Sequence, residues 1–148
     1  MDFRRAFDDL VRFETELWNA LNARLVDECD ISLGAFNVLL IVSDTPRCRV
    51  QDLAAALAIT VGGVSQAVDR VEARGLLVRT PNPSNRRSSH LSVTDYGHAV
   101  LDLASGVFDD ELSTWFTAPA EKYSFSEFAR DIAALRAANQ ARRGIGLQ

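Results

Sequence analysis

Cysteine is nearly absent from this chain, which holds only Cys29 and Cys48. Neither sits in a CxxC pair or a Cys/His cluster, so a disulfide scaffold and a thiolate metal centre are both excluded. Two ordinary thiols are the plain expectation, with cysteine-based redox sensing as the alternative. Histidine is equally scarce, at two residues. His98 and Asp102 stand at i, i+4, but two ligands do not make a metal site. No metal and no cofactor are expected. No Gly-rich phosphate loop, nucleophile elbow or zinc motif occurs, which removes the common enzyme classes. Long apolar runs are lacking too. The stretch Phe36 to Val42 falls far short of the roughly 18 residues that a membrane span needs. Met1 to Arg5 lead into a mixed-charge pattern rather than the apolar stretch of a signal peptide. The expected compartment is therefore the cytoplasm, with no membrane partner.

What is present suits one compact domain over residues 1–148, with 47% hydrophobic residues and no disordered bias. The net charge of −4 at first argues against a nucleic-acid partner. Its distribution argues the other way. Residues 60–90 carry five arginines (Arg70, Arg74, Arg79, Arg86, Arg87) against two acids (Asp69, Glu72), so this stretch is +3 and the remainder −7. A basic stripe on an acidic body suits a local DNA footprint, because counterion release depends on nearby charge.

Hydrophobic periodicity predicts a helix over about 3–27, in which Phe3, Phe7, Leu10, Val11, Leu17, Trp18, Leu21 and Leu25 recur at three- and four-residue steps. So apolar a terminal helix must bury itself, and a second subunit is one way to do so. Ser32 caps a helix over about 33–43, which Thr45-Pro46 ends. An extended piece, Arg47 to Val50, leads into a short alanine-rich helix of about 51–57. Thr60 is positioned to cap a helix running to about Arg74, with Gly75 as its stop. Two strands, Leu76 to Thr80 and Ser88 to Thr94, flank a turn-rich tip at Pro81 to Asn85. Thr94-Asp95 opens a long helix to about Phe116, and Pro119 separates it from a last helix of about 121–142. The order is helix, short turn, helix, hairpin, bracketed by long helices.

On a wheel of the Val61–Arg74 helix, Val61, Val64, Val68 and Val71 share the core sector. The opposite side carries Gly62, Gln66, Asp69, Arg70 and Ala73, with Gly63 and Arg74 on one shoulder and Ser65 on the other. Short polar side chains let a helix sit deep in the major groove, where Gln pairs with adenine and Ser with several base edges. Two glycines in the first turn cost about 1 kcal/mol each against alanine. Either they bring helix-end N–H groups close to a phosphate, or they pack tightly against the preceding helix. Asp69 faces outward and is tolerable only if paired, with Arg70 or a wing arginine. Arg86 and Arg87 at the hairpin tip suit a narrow minor groove; the alternative is a solvated surface pair.

The stretch Asp52-Leu53-Ala54, Thr60, Val64-Ser65, Val68-Asp69-Arg70-Val71-Glu72, Gly75-Leu76-Leu77-Val78-Arg79, Pro83, Arg86-Arg87 and Val93-Thr94-Asp95-Tyr96-Gly97 resembles the MarR family of bacterial transcriptional regulators. The resemblance implies a mainly α fold with a small β-hairpin wing. The winged helix-turn-helix lobe would span about 46–97, and the dimerisation helices about 3–27 and 95–142. It further implies a homodimer, double-stranded DNA with a palindromic operator, and repression as the usual outcome. Thr60, Gly62, Gly63, Ser65 and Gln66 would then face the groove, Arg70 the DNA backbone, and Arg86 and Arg87 the wing-tip contact. Asn85 stands where the family usually has Asp; it can hydrogen-bond but cannot form a charge-assisted pair with an arginine at the wing base.

Many members of this family release DNA when a small aromatic or anionic effector binds between the dimer helices and the DNA-binding lobe. Trp18, Phe36 and Trp115 are candidates to line such a cavity, and each is also readable as plain core. Peroxide-sensing members carry a cysteine in the first helix, whereas Cys29 is expected beyond it. A winged helix that binds only protein is the remaining rival. Such modules usually lose the basic wing and the polar helix face, and both are kept here.

Overall fold

The computed structural model describes residues 2–117 and 123–145. In chain order the elements are α1 (Phe3–Cys29), α2 (Leu33–Asp44), α3 (Val50–Leu57), α4 (Val61–Ala73), β1 (Leu77–Pro81), β2 (Ser89–Val93), α5 (Asp95–Thr117) and α6 (Phe125–Ile145). The fold is thus mainly α with one antiparallel hairpin, in the expected order. By packing, the chain falls into two compact units, Met1–Glu111 and Leu112–Gln148.

Local chemistry sets the helix ends. Asp2 caps α1 by accepting from the Arg5 N–H at 3.1 Å. The helix runs two residues past the expected end, because Asp30 takes the left-handed conformation (φ 53°) and closes it with bonds to Leu25 and Val26 carbonyls. Cys29 is therefore the last residue of α1, not a residue beyond it. Ser32 Oγ accepts from Ala35 N at 3.1 Å, capping α2 as expected. Arg47 is not extended: with φ 53° it completes the turn that Pro46 begins, and only Cys48 and Arg49 run extended before α3 starts at Val50. Thr60 Oγ1 accepts from Gly63 N at 3.2 Å and caps α4, while Gly75 (φ 73°) ends it.

The core of the first unit gathers one side of each element: Leu21 and Leu25, Phe36 and Leu39, Leu53, Val64, Val68, Val71, Leu76, Leu77, Leu91 and Leu101 are all buried. Phe36 stacks on Phe108 with ring centroids 4.8 Å apart. The hairpin pairs Leu77 with Val93 and Pro81 with Ser89. Leu91 N also donates to Cys48 O at 2.7 Å, so the segment before α3 lies along the outer edge of β2.

The hairpin is joined closely to α5. Thr94 N donates to Leu76 O at 3.1 Å. The Thr94 hydroxyl donates to Gly75 O at 2.7 Å and accepts from Gly97 N at 2.9 Å. A Cβ on Gly97 would overlap the Leu76 carbonyl oxygen, so only glycine admits this approach. Two ion-pair groups tie helices together. Arg74 meets Asp30 at 2.9 Å, and Arg24 meets Glu28, Asp110 and Glu111 at 2.8, 2.8 and 3.1 Å.

In the second unit, Phe116 packs against Phe125 and Phe128, with centroids 4.9 and 6.1 Å apart, and Tyr123 donates to Phe116 O at 2.6 Å. Pro119, expected to break the long helix, lies outside the described residues. The last helix begins at Phe125, later than the expected 121. Phe3, Phe7, Leu10 and Val11 on α1, and Phe125 and Leu135 on α6, are left exposed. No helix among the described residues is long and apolar enough to cross a membrane.

Candidate nucleic-acid interface

The core stripe of α4 consists of Val64, Val68 and Val71, all buried. Val61 departs from the wheel and is 55% exposed, beside Ile59 at 52%. A wheel gives azimuth only, and whether an apolar residue at the first turn is covered depends on what packs over it. Gly62, Gln66, Asp69 and Arg70 are exposed on the outer face, and Ser65 is half-buried at its margin. A Cβ on Gly62 would meet nothing within 4 Å, so the reading of tight packing against the preceding helix fails there. On Gly63 a Cβ would come 3.3 Å from Thr60 Oγ1, the same oxygen that accepts its N–H.

Side-chain amides order the wing tip. Asn82 Nδ2 donates to Ser88 Oγ at 2.9 Å, and Asn82 Oδ1 accepts from Ser84 N at 3.0 Å. Asn85 Oδ1 accepts from Arg87 N at 3.0 Å. A neutral acceptor is enough for this turn, so Asn in place of Asp keeps the local bond and forgoes only the charge-assisted pair. Arg86 and Arg87 are exposed.

The arginines divide into two groups. Arg79 on β1 lies 2.6 Å from Asp69 and also binds Glu72, with its own N–H 3.2 Å from Glu72 Oε1. The outward Asp69 is thus neutralised by a wing-strand arginine and not by Arg70. Arg74 is taken up by Asp30. Among the described residues, Arg70, Arg86 and Arg87 have no ion-pair partner. Of the five arginines in residues 60–90, the three left uncompensated therefore sit on one helix face and the wing tip. Arg79 and Glu72 do not stand out in the sequence as site residues, because the spacing that joins them runs across a turn that periodicity does not register.

The remaining candidates are more scattered. Phe36 is core, at 1% exposure, and Trp18 stands 43% exposed on α1. Trp115 belongs to the second unit. Burial pushes the thiols of Cys29 and Cys48 above their ordinary range, which lowers the thiolate fraction that peroxide chemistry requires. Among the described residues no group of three or more His, Cys, Asp or Glu side chains could hold a metal ion.

A two-helix turn followed by a hairpin, with unpaired arginines on the outer helix face and at the hairpin tip, defines a winged helix-turn-helix protein. The sequence pattern of the MarR family matches residues 30–88. Over 112 residues the chain is 30% identical to an HTH-type transcriptional regulator from Bacillus cereus, covering 70% of this chain and 74% of that one. The chain belongs to the MarR family of transcriptional regulators.

Solved structures agree on the fold. Sco3205, a MarR family transcriptional regulator from Streptomyces coelicolor in complex with DNA, superposes with a TM-score of 0.80 at 21% identity, covering 93% of this chain and 86% of its own. CouR from Rhodococcus jostii RHA1, bound to p-coumaroyl-CoA, gives 0.74 at 24% identity, covering 87% of both chains.

Proposed function

We propose that this protein represses transcription as a homodimer on a palindromic operator and leaves the DNA when a small aromatic or anionic effector binds. The observation that carries the reading is that Arg70 on the outer face of α4 and Arg86 and Arg87 at the wing tip have no ion-pair partner among the described residues, on an otherwise acidic chain. In this reading α4 lies in the major groove. The Gly62, Ser65 and Gln66 side faces the bases, and Thr60, Gly63 and Arg70 lie near backbone phosphates. The wing tip enters the adjacent minor groove, whose negative potential suits Arg86 and Arg87. The exposed apolar residues of α1 form a face a second copy would cover, and those of α6 form another. Sco3205 in complex with DNA supports this assignment by likeness of fold.

The effector has separate support. CouR holds p-coumaroyl-CoA, a ligand both aromatic and anionic. Of the three candidate rings, Trp18 has the most open face, while Phe36 is already stacked on Phe108.

The test is a salt titration of binding to the palindromic segment of the gene's own promoter, beside a scrambled duplex of equal length. A steep linear fall of log K against log salt, with preference for the palindrome, is the expected result. Equal affinity for both duplexes would remove sequence-specific regulation, and a flat response would remove DNA binding altogether.

A further inference from the structure

A cleft of about 670 Å³ opens between the α2–α3 turn and the wing, and its lining includes Arg47, Arg49, Asn82, Ser84 and His90. Its wall mixes polar and apolar surface and carries two arginines against one carboxylate. The one carboxylate in the wall, Asp52, is gripped by the Arg49 guanidinium through two bonds of 3.1 Å and also accepts from Arg49 N at 2.9 Å. This arrangement holds the Asp52 carboxyl below its usual range and keeps it turned to Arg49. Arg47 is different. It is exposed, it sits at φ 53° directly after Pro46, and among the described residues it has no ion-pair partner. A left-handed backbone at a non-glycine residue is uncommon and strained, and here it presents a free guanidinium to the cleft.

Position explains what such a group can meet. The hairpin has two edges: β1 packs against α4, while β2 is flanked by the Cys48 segment through the Leu91–Cys48 bond. Arg47 therefore lies on the edge of the wing away from α4. A minor groove is bordered by a phosphate backbone on each side. A hairpin tip inside it has one backbone towards α4 and the other towards Arg47.

We propose that this cleft binds a DNA backbone phosphate, with Arg47 as the charged contact and the Ser84 hydroxyl as a neutral donor, on the strand beyond the wing. The proposal rests on the DNA-binding reading above and adds a contact that none of the expected interface residues supplies.

The decisive variant is Arg47→Asn, since Asn tolerates a positive φ while removing the guanidinium and its charge. Its salt slope should fall by about 0.9 relative to the unaltered protein. Arg47→Lys should keep the slope. The operator is also scanned with single methylphosphonates, each of which neutralises one phosphate. With the unaltered protein, one phosphate beside the wing's minor-groove segment should weaken binding when neutralised; with Arg47→Asn the same substitution should have no further effect. An unchanged slope, or an identical scan for both proteins, overturns the proposal and leaves the DNA-binding reading intact. Inorganic phosphate that binds in the cleft without any change in the DNA slope would assign the site to small anions and equally overturn it. Absence of salt-dependent operator binding by the unaltered protein would remove both readings together.

Discussion

The Arg79 guanidinium on β1 reaches back to the Asp69 carboxylate on α4 at 2.6 Å, bracing the wing against the helix beside it. This contact explains how an acidic residue can sit on a face otherwise suited to phosphate. Arg79→Ala should lower stability by about 1–2 kcal/mol, since charged hydrogen bonds are lost from a partly exposed site. It should weaken operator binding further by uncovering Asp69 and Glu72. Urea unfolding of Arg79→Ala, Asp69→Ala and the double variant reads the coupling; strictly additive effects would mean the brace carries no energy.

Two glycine substitutions should behave in opposite ways. Gly62→Ala meets open space and should raise stability by up to about 1 kcal/mol through helix propensity, while weakening operator binding if that bare turn lies against DNA. Gly97→Ala places a methyl against a backbone carbonyl and should destabilise by about 1–3 kcal/mol or more. Thermal denaturation and operator titration of both variants check this. Operator affinity unaffected by Gly62→Ala would separate Gly62 from the interface.

Gln66→Ala and Arg87→Ala should fail in distinguishable ways. The first should cost about 1–3 kcal/mol at one base position in each half-site. The second should reduce affinity across sequences and lower the salt slope by about one. Binding to a panel of operators with single base-pair changes, at several salt concentrations, separates them. Unaltered base preference in Gln66→Ala would show that Gln66 reads no base.

Leu10→Asp introduces a charge into the exposed apolar row of α1. It should shift the protein from dimer to monomer in sedimentation velocity and abolish binding to the full palindrome. A monomer with full operator affinity would contradict the dimeric reading.

Much of this architecture is legible in the sequence because its signals are local. Ser32 and Thr60 cap the helices that their positions predict, and Gly75 ends α4, since capping needs only neighbouring residues. Val64, Val68 and Val71 are equally legible from helical spacing. Val61 is not, because whether an apolar residue is covered depends on what packs over it. The length of α1 turns on Asp30 adopting a positive φ, which composition near residue 27 does not announce. The arginine cluster is visible as a count, but its division is not. Arg79 and Arg74 find acids seven or more residues away, whereas Arg70, Arg86 and Arg87 find none among the described residues.

Thr94 and Gly97 leave no slack between the last turn of α4 and the first turn of α5. A tilt at the start of α5 must carry Gly75 and Leu76 with it, because their carbonyls are held by one hydroxyl, one amide and a contact that admits no extra atom. A displacement at the start of α5 would thereby pass directly to the end of α4. In a dimer reading a palindrome, the span between the two α4 helices would then follow the angle at which each α5 starts rather than the give of a linker, so operator spacing would report helix angle.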